Sequence, residues 1–290
     1  NDIRYAIIAA SANDDIFLTD YADDVVATRK QKKLDMADLQ HCIDSAKEIL
    51  GAARYILAPS TEALNRYLLD NRDEFKQNGC DVPLVDKELY ANVSDKQSFG
   101  KMCRAAGITV PEDYSQPPDT FPFVAKPKRY CGVNGEIHTP YLIFNEAQAN
   151  EFTNDCITTD FYYQEYVSGD SLYLLYYFYE DGSFTKLSQK NLIQQPGGKS
   201  IIAAETSDFH KTAESAKYEE LFKSLGFKGL VMVEVKPSGG KHYMIEANPR
   251  FWGPAQLFVD AGVNLFEDFL YDNGARKERP NASKWVSARY

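Results

Sequence analysis

The sequence lacks the marks of several common protein classes. No apolar run approaches the roughly 18 residues that a membrane span needs, and no signal peptide is visible. The five cysteines (Cys42, Cys80, Cys103, Cys131, Cys156) are scattered, odd in number and form no C-x-x-C pair. They read as free thiols in a reducing compartment, with no zinc site. The four histidines (His41, His138, His210, His242) show no ligand spacing either. No basic excess exists: the net charge is −10, which argues against a general grip on nucleic acid, although a local cluster of Lys and Arg can still bind anions. There are no repeats and no low-complexity tract. The expectation is a soluble, cytoplasmic protein with no nucleic-acid and no membrane partner.

What remains is the texture of a globular enzyme-sized chain. Hydrophobic residues make up 44% and charged residues 26% of 290, enough for two or three subdomains and a large core. The first residue is Asn1 rather than Met, so we expect the natural N-terminus to extend further; the polar stretch "GARKERPNASKWVSARY" suggests the same at the other end.

Early in the chain "RYAIIAAS" reads as a short parallel strand. From Met36 apolar residues recur at helical spacing (Leu39, Ile43, Ala46, Ile49, Leu50) until Gly51, a natural stop. "RYILAP" is a second strand, and "STEALNRYLLDNRDEF" reads as a helix capped by Ser60 and running to about Phe75. Alternation of this kind predicts a small parallel α/β layer. Its first strand is not followed by the G-x-G-x-x-G of a dinucleotide site. The basic run "RKQKK" reads as a solvated turn before a helix.

"SDKQSFGKMCRAAGITVPE" predicts a capped helix ending at Gly107, and "QPPDT" (116–120) a turn at a subdomain boundary. Beyond it the texture becomes β-rich and aromatic ("FPFVAKP", "DFYYQEYV", "SLYLLYYFYEDGSF", "GLVMVEVKP", "HYMIEAN"), with helices at about 145–155 and 211–225. "GPAQLFVDAGVNLFEDFLYD" predicts a closing helical segment that packs Leu257, Phe258, Phe266 and Leu270.

The chemistry concentrates in two strands joined by "PSGG". In a strand, residues i and i+2 share a face. Met232, Glu234 and Lys236 therefore share one face, and Met244, Glu246 and Asn248 another. If the two faces coincide, Glu234, Glu246 and Asn248 converge, with Arg250 just beyond. Such an oxygen set suits Mg²⁺, which takes one or two carboxylates together with substrate phosphates. The plainer reading of each glutamate is a solvated strand residue.

Glu234, then Glu246 twelve residues later, followed by Asn248 and Arg250, resembles the metal-binding signature of the ATP-grasp superfamily, which includes biotin carboxylase, carbamoyl-phosphate synthetase and many carboxylate–amine ligases. The resemblance covers about residues 88–272. It implies that Glu234, Glu246 and Asn248 hold Mg²⁺ (Mn²⁺ as an alternative ion) and that Arg250 contacts the γ-phosphate or an acyl phosphate. It further implies that Lys96, in its D-K-x-(helix)-G-I-x-V-P context, and Lys126, at the end of "FPFVAK", reach the ATP phosphates. Backbone groups along Gln164, Glu165 and Val167 would hold adenine, and Asp170 the ribose, with a ligand-free turn aspartate as the competing reading. Ser171 stands at the position where relatives carry that acid. In "QQPGGKS", Lys199 is the candidate to face phosphate or acceptor carboxylate, with Lys190 its rival. The family's glycine-rich loop is represented by "KRYCGVNGE", with only Gly132 and Gly135; Cys131 within it has no partnered histidine and reads as structural.

The implied architecture combines α/β and α+β parts. A small α/β domain (residues 1–90) precedes an ATP-grasp fold of two α+β subdomains that clamp ATP. The first subdomain, with its leading helix, spans 91–165, and the metal-binding one spans 166–290. The implied activity is ATP-dependent ligation of a small-molecule carboxylate to an amine through an acyl phosphate, in a chain compatible with a homodimer. The alternatives are a bicarbonate-activating, carbamoyl-phosphate synthetase-like enzyme and a non-catalytic nucleotide-binding or regulatory protein.

Overall fold

The computed structural model describes residues 3–58, 60–128, 139–195, 201–280 and 285–290. The chain divides into two compact units, Asn1–Leu84 with Asn273–Lys277, and Val85–Asp272 with Glu278–Tyr290.

The first unit holds two short parallel pairs, β1 (Ile7–Ala9) with β2 (Val25–Thr28) and β3 (Tyr55–Ile56) with β4 (Cys80–Asp81). Helix α1 (Met36–Leu50) starts at the Asp35 side-chain cap and ends where Gly51 turns left-handed at φ 55°, as the spacing predicts. The segment read as one helix capped by Ser60 is two. Thr61, not Ser60, caps α2 (Glu62–Asp70) by accepting from the Leu64 N–H. Asn71 then leaves helical geometry before α3 (Arg72–Gln77). Leu39, Ile43, Leu68, Phe75 and Cys80 form this unit's buried core.

The second unit opens with α4 (Lys87–Ser94), capped by Asp86, and α5 (Lys96–Ala105), capped by Asp95. Helix α4 is absent from the sequence reading. A four-stranded sheet follows in the order β5-β8-β6-β7, built from β5 (Asp113–Tyr114), β6 (Phe123–Pro127), β7 (Tyr141–Ile143) and β8 (Phe161–Glu165). Its Phe123, Ala125, Phe161 and Tyr163 face α6 (Glu146–Asp155), whose Phe152 fills the space between them.

The large sheet is antiparallel, in the order β11-β10-β9-β12-β13. Its strands are β9 (Leu172–Phe178), β10 (Phe184–Gln194), β11 (Ile201–Ser207), β12 (Gly229–Ser238) and β13 (Lys241–Asn248). The run "LYLLYYF" makes β9 the central strand, because a strand covered on both faces needs apolar residues at every position. One face carries Leu174, Tyr176, Phe178, Val231, Val233 and Val235 against Phe99 and Cys103 of α5 and Tyr218 and Phe222 of α7 (Ala213–Ser224). Over the other face run two helices, α8 (Gln256–Asp260) and α9 (Leu265–Asp272), separated where Gly262 adopts φ 78°. Of the four residues expected to pack there, Leu257 and Phe258 are buried; Phe266 and Leu270 are half-buried, and Leu265 and Phe269 take the inner positions. The edge strand β11 is itself covered, since Ala204 exchanges backbone hydrogen bonds with Tyr290, closing an edge that would otherwise invite pairing.

Phe222 touches four aromatic rings (Phe99, Tyr176, Phe178, Phe227) with centroids 5.1–6.2 Å away. Phe222→Ala is expected to cost about 3–5 kcal/mol, the range for a buried aromatic replaced by alanine. Ile49→Ala, at a position 63% exposed, is expected to stay within about 0.5 kcal/mol. Urea midpoints of the two variants read out the difference, and equal midpoints would contradict this core.

Candidate functional site

Local backbone chemistry builds the carboxylate pair. Gly239 and Gly240 both take positive φ (56° and 76°), closing a two-residue hairpin between Ser238 and Lys241. That turn sets the register as far as Val235 opposite Met244, and a one-residue shift beyond it brings Glu234 directly opposite Glu246 and Met232 opposite Asn248. The three oxygen-bearing side chains therefore stand on one face. Met244 does not join them. A β-bulge falls between the Glu234–Glu246 and Val235–Met244 pairs and leaves Ile245 without a cross-strand partner. The extra residue turns Met244 to the opposite face, where it packs in the apolar core. The bulge also frees the Ile245 carbonyl, which accepts a 3.4 Å hydrogen bond from the Lys126 ammonium.

Two lysines from different elements meet this hairpin. Lys96 leads α5, which packs on β13, and its Nζ donates to Glu246 Oε2 in a short ion pair. Lys126 projects from β6 of the smaller sheet and is only 6% exposed. Asn248 Nδ2 donates to Glu246 Oε1 at 2.8 Å, and Ser171 Oγ donates to Glu234 Oε1.

The charges respond accordingly. Burial raises the Glu234 carboxyl, as does the neighbouring Glu246 carboxylate, against the opposing Ser171 hydrogen bond. Burial would push Glu246 up as well. The Lys96 ion pair, the Asn248 amide and the Lys126 charge outweigh it and hold the carboxyl down at about 2. Burial, then repulsion from Lys96, lowers the Lys126 ammonium to about 8, while both glutamates support its charge.

The sheet pairing extends the site beyond the motif. Across four strands the row reads Gln189, Tyr173, Glu234, Glu246, each opposite the next, so all four share a face. Buried Gln189 donates from Nε2 to Asn191 Oδ1 at 2.8 Å, and its Oε1 has no hydrogen-bond partner among the described residues. The same holds for the Tyr162 hydroxyl and for Oε1 of Gln164, on the face of the smaller sheet that bears Lys126, and for Trp252 Nε1. Sequence reasoning missed Tyr173, Gln189 and Asn191. Their signal is an i, i+2 pattern of polar and aromatic residues within strands, and it acquires meaning only once the strand order is known.

The remaining predicted residues lie as follows. Gln164 donates to Asp113 at 2.8 Å, and Asp113 pairs with Arg104 of α5 at 2.8 Å, so this side chain ties the smaller sheet to the helix that carries Lys96. The Glu165 N–H is taken by the Glu112 carbonyl at 2.8 Å, and its carboxylate by the Glu112 N–H at 3.1 Å. Val167, just past β8, is buried, and no backbone hydrogen bond engages its N–H among the described residues. Asp170 is not brought to the carboxylates. It pairs with Lys190 at 2.9 Å, and Lys190 lies opposite Leu172, on the face away from Gln189 and Glu234. Gly169 precedes it at φ 131°, a position that only glycine fills because a Cβ there would strike the Pro237 carbonyl. Arg250 donates to the Phe251 carbonyl at 2.9 Å and is half-buried. Lys199, Cys131 and most of "KRYCGVNGE" lie outside the described residues.

Among the described residues no group of three or more His, Cys, Asp or Glu is placed to hold a metal. The donor set here is two carboxylates and an amide, all oxygen, opposed across one hairpin. That chemistry fits a magnesium ion completed by phosphates.

No protein-family model matches the chain, and no curated sequence matches it. Among solved structures it is similar to a biotin carboxylase–β,γ-ATP complex from Campylobacter jejuni, at 13% identity and TM-score 0.70, covering 97% of this chain and 68% of that one. It is also similar to the biotin carboxylase domain dimer of Hydrogenobacter thermophilus 2-oxoglutarate carboxylase with MgADP, ADP and bicarbonate (12% identity, TM-score 0.70, 96% and 66% covered). A third likeness is to Rhizobium etli pyruvate carboxylase with the allosteric activator acetyl coenzyme A (14% identity, TM-score 0.69, 97% and 28% covered). The chain thus spans about two thirds of the first two chains and little more than a quarter of the third. Biotin carboxylases are ATP-grasp enzymes, and the chain has their fold.

Linkage makes the carboxylate pair testable without ligand. Glu246, lower in the folded protein than its ordinary 4.5, contributes stability above pH 4.5 that is lost as pH falls toward about 2. A shift of that size corresponds to on the order of 3 kcal/mol, so Glu246→Gln is expected to lower the urea midpoint sharply at pH 7. Glu234, raised when folded, costs stability above its ordinary value and costs nothing below it. Glu234→Gln is expected to raise the midpoint at pH 7, with the gain fading below pH 4.5. A Glu234→Gln protein destabilised as much as Glu246→Gln would contradict this charge arrangement.

Proposed function

We propose that the chain is an ATP-dependent ligase that joins a carboxylate to an amine through an acyl phosphate. The observation that carries the reading is the convergence of Glu234, Glu246 and Asn248 with two lysines drawn from separate elements, in a fold that binds nucleotide in its structural neighbours. A divalent cation held by Glu234, Glu246 and Asn248 would neutralise charge on the transferring phosphoryl group. Lys126, pinned by burial, and Lys96, a quarter of whose side chain is exposed, supply positive charge to the phosphates, where a site shielded from water makes each charge count for more. Val167, whose backbone N–H has no backbone partner among the described residues, is assigned to the adenine edge. Arg250 is assigned to the γ-phosphate or the acyl phosphate, and Lys199, outside the described residues, to phosphate or the acceptor carboxylate. Asp170 remains the assignment for the ribose, and it must first give up Lys190.

In this reading the substrate carboxylate attacks the γ-phosphorus, the β–γ bond breaks and ADP departs. The amine then attacks the acyl carbon, phosphate leaves with the electron pair of the acyl–oxygen bond, and the amine loses a proton. The chain contributes positioning and electrostatics, the main means of catalysing phosphoryl transfer. Bicarbonate is the second reading, favoured by the bicarbonate named in the 2-oxoglutarate carboxylase structure; it would attack the γ-phosphorus in the same way.

ATP with Mg²⁺ is expected to raise the thermal midpoint, since a ligand bound at a hundred times its Kd adds about 2.7 kcal/mol. ADP release is expected only with a particular carboxylate and amine, or with bicarbonate for the second reading. Glu246→Ala is expected to lose at least a hundredfold in ADP release. An unchanged midpoint at millimolar MgATP, or normal turnover by Glu246→Ala, would sink the proposal.

A further inference from the structure

Both oxygens of Glu246 are already engaged by the protein: Oε2 by the Lys96 ammonium and Oε1 by the Asn248 amide. One oxygen of Glu234 is engaged by Ser171. A cation at Oε2 must displace Lys96, and one at Oε1, where the Asn248 amide would turn its oxygen to the metal, shares the carboxylate with the Lys96 ammonium, so in both cases the two positive charges repel at close range. We propose that Lys96 is an exchangeable counter-ion, which closes the carboxylate pair to divalent cations until a nucleotide polyphosphate draws its ammonium away. The inference rests on the MgATP reading and adds an order to it: metal and nucleotide enter together.

Charge balance supports the exchange. Two glutamates and two lysines make the cluster neutral, so a bare cation or a bare polyphosphate unbalances it, whereas the two arriving together largely offset each other. Geometry decides which lysine moves. Lys126 is buried and bonded to a backbone carbonyl, and among the described residues no carboxylate pairs with it. Lys96 has a quarter of its side chain exposed, and its backbone is fixed by the Asp95 cap, which accepts from Ser98 N at 2.8 Å. The ammonium can therefore swing on its stem while α5 stays folded. Lys96 also gains nothing from the helix it starts, since the positive end of the dipole disfavours a cation there. Its ion pair with Glu246 offsets that disadvantage.

The test uses Mn²⁺, with the free ion counted by electron paramagnetic resonance, on the whole chain without nucleotide. Lys96→Met keeps the stem and removes the charge, and it is expected to bind Mn²⁺ alone at least tenfold more tightly than wild type. Lys96→Arg is expected to bind as weakly as wild type, and Lys126→Met to change the affinity less than threefold. Circular dichroism matching wild type confirms that each variant is folded. If Lys96→Met binds Mn²⁺ no better than wild type, or Lys126→Met gains as much, the exchange is overturned. The thermal midpoint of wild type with ADP and Mn²⁺ separates the two ideas: a rise with no gain in Lys96→Met overturns the exchange alone. No rise removes the nucleotide reading and the exchange with it.

Discussion

Two carboxylates held directly opposite each other on neighbouring strands are the constraint on which the rest of the second unit depends. Like charges at such a cross-strand pair are destabilising, and the register of β12 and β13 enforces the pair all the same. The surrounding elements answer that repulsion. Helix α5 delivers Lys96, the smaller sheet delivers Lys126, and the loop before β9 delivers Ser171. None of these contacts is local in sequence; Lys96 and Glu246 are 150 residues apart. The apolar face of the sheet supplies the packing that fixes them, since Phe99 of α5 and Phe222 of α7 stack at 5.6 Å beneath the strands that carry the glutamates.

The bulge at Ile245 resolves a conflict between two demands on β13. The strand must present Glu246 and Asn248 to the site and must also bury Met244 in the core. A strand of strict alternation would put all three on one face. One extra residue separates the demands and releases a carbonyl, and that carbonyl meets the buried ammonium of Lys126. A buried lysine without a hydrogen-bond partner would be costly, so the irregularity that frees Met244 also steadies the lysine.

Features set by neighbours in sequence are legible in the sequence itself. The period from Met36 to Leu50 with Gly51 behind it marks α1, and the paired glycines after Ser238 mark the hairpin, although the bulge at Ile245 and not the turn aligns Glu234 with Glu246. Less legible were features decided by competition between similar local signals. Ser60 and Thr61 are both competent caps, and only the backbone reveals that Thr61 is used. Asn71 ends a helix whose apolar period runs on. Least legible were meetings across strands. Gln189 and Tyr173 belong to the site row only because β10 lies beside β9 and β9 beside β12. Asp170 finds Lys190 because the chain enters β9 next to β10, a pairing that motif spacing does not encode.

The buried polar atoms left without partners complete the picture. An unsatisfied buried group costs about 1–3 kcal/mol, so native chains carry few, and their placement is informative. Tyr162 and Gln164 stand on the Lys126 face of the smaller sheet, and Gln189 on the Glu234 face of the larger one. Each would be cheaper as an apolar residue if packing alone mattered. Their sheets meet where Lys126 reaches the Ile245 carbonyl. Under the proposed function the hydrogen bonds these atoms lack among the described residues go to the ligand, whereas the Tyr218 hydroxyl, likewise unpartnered but in the apolar core on the opposite face, has no such account.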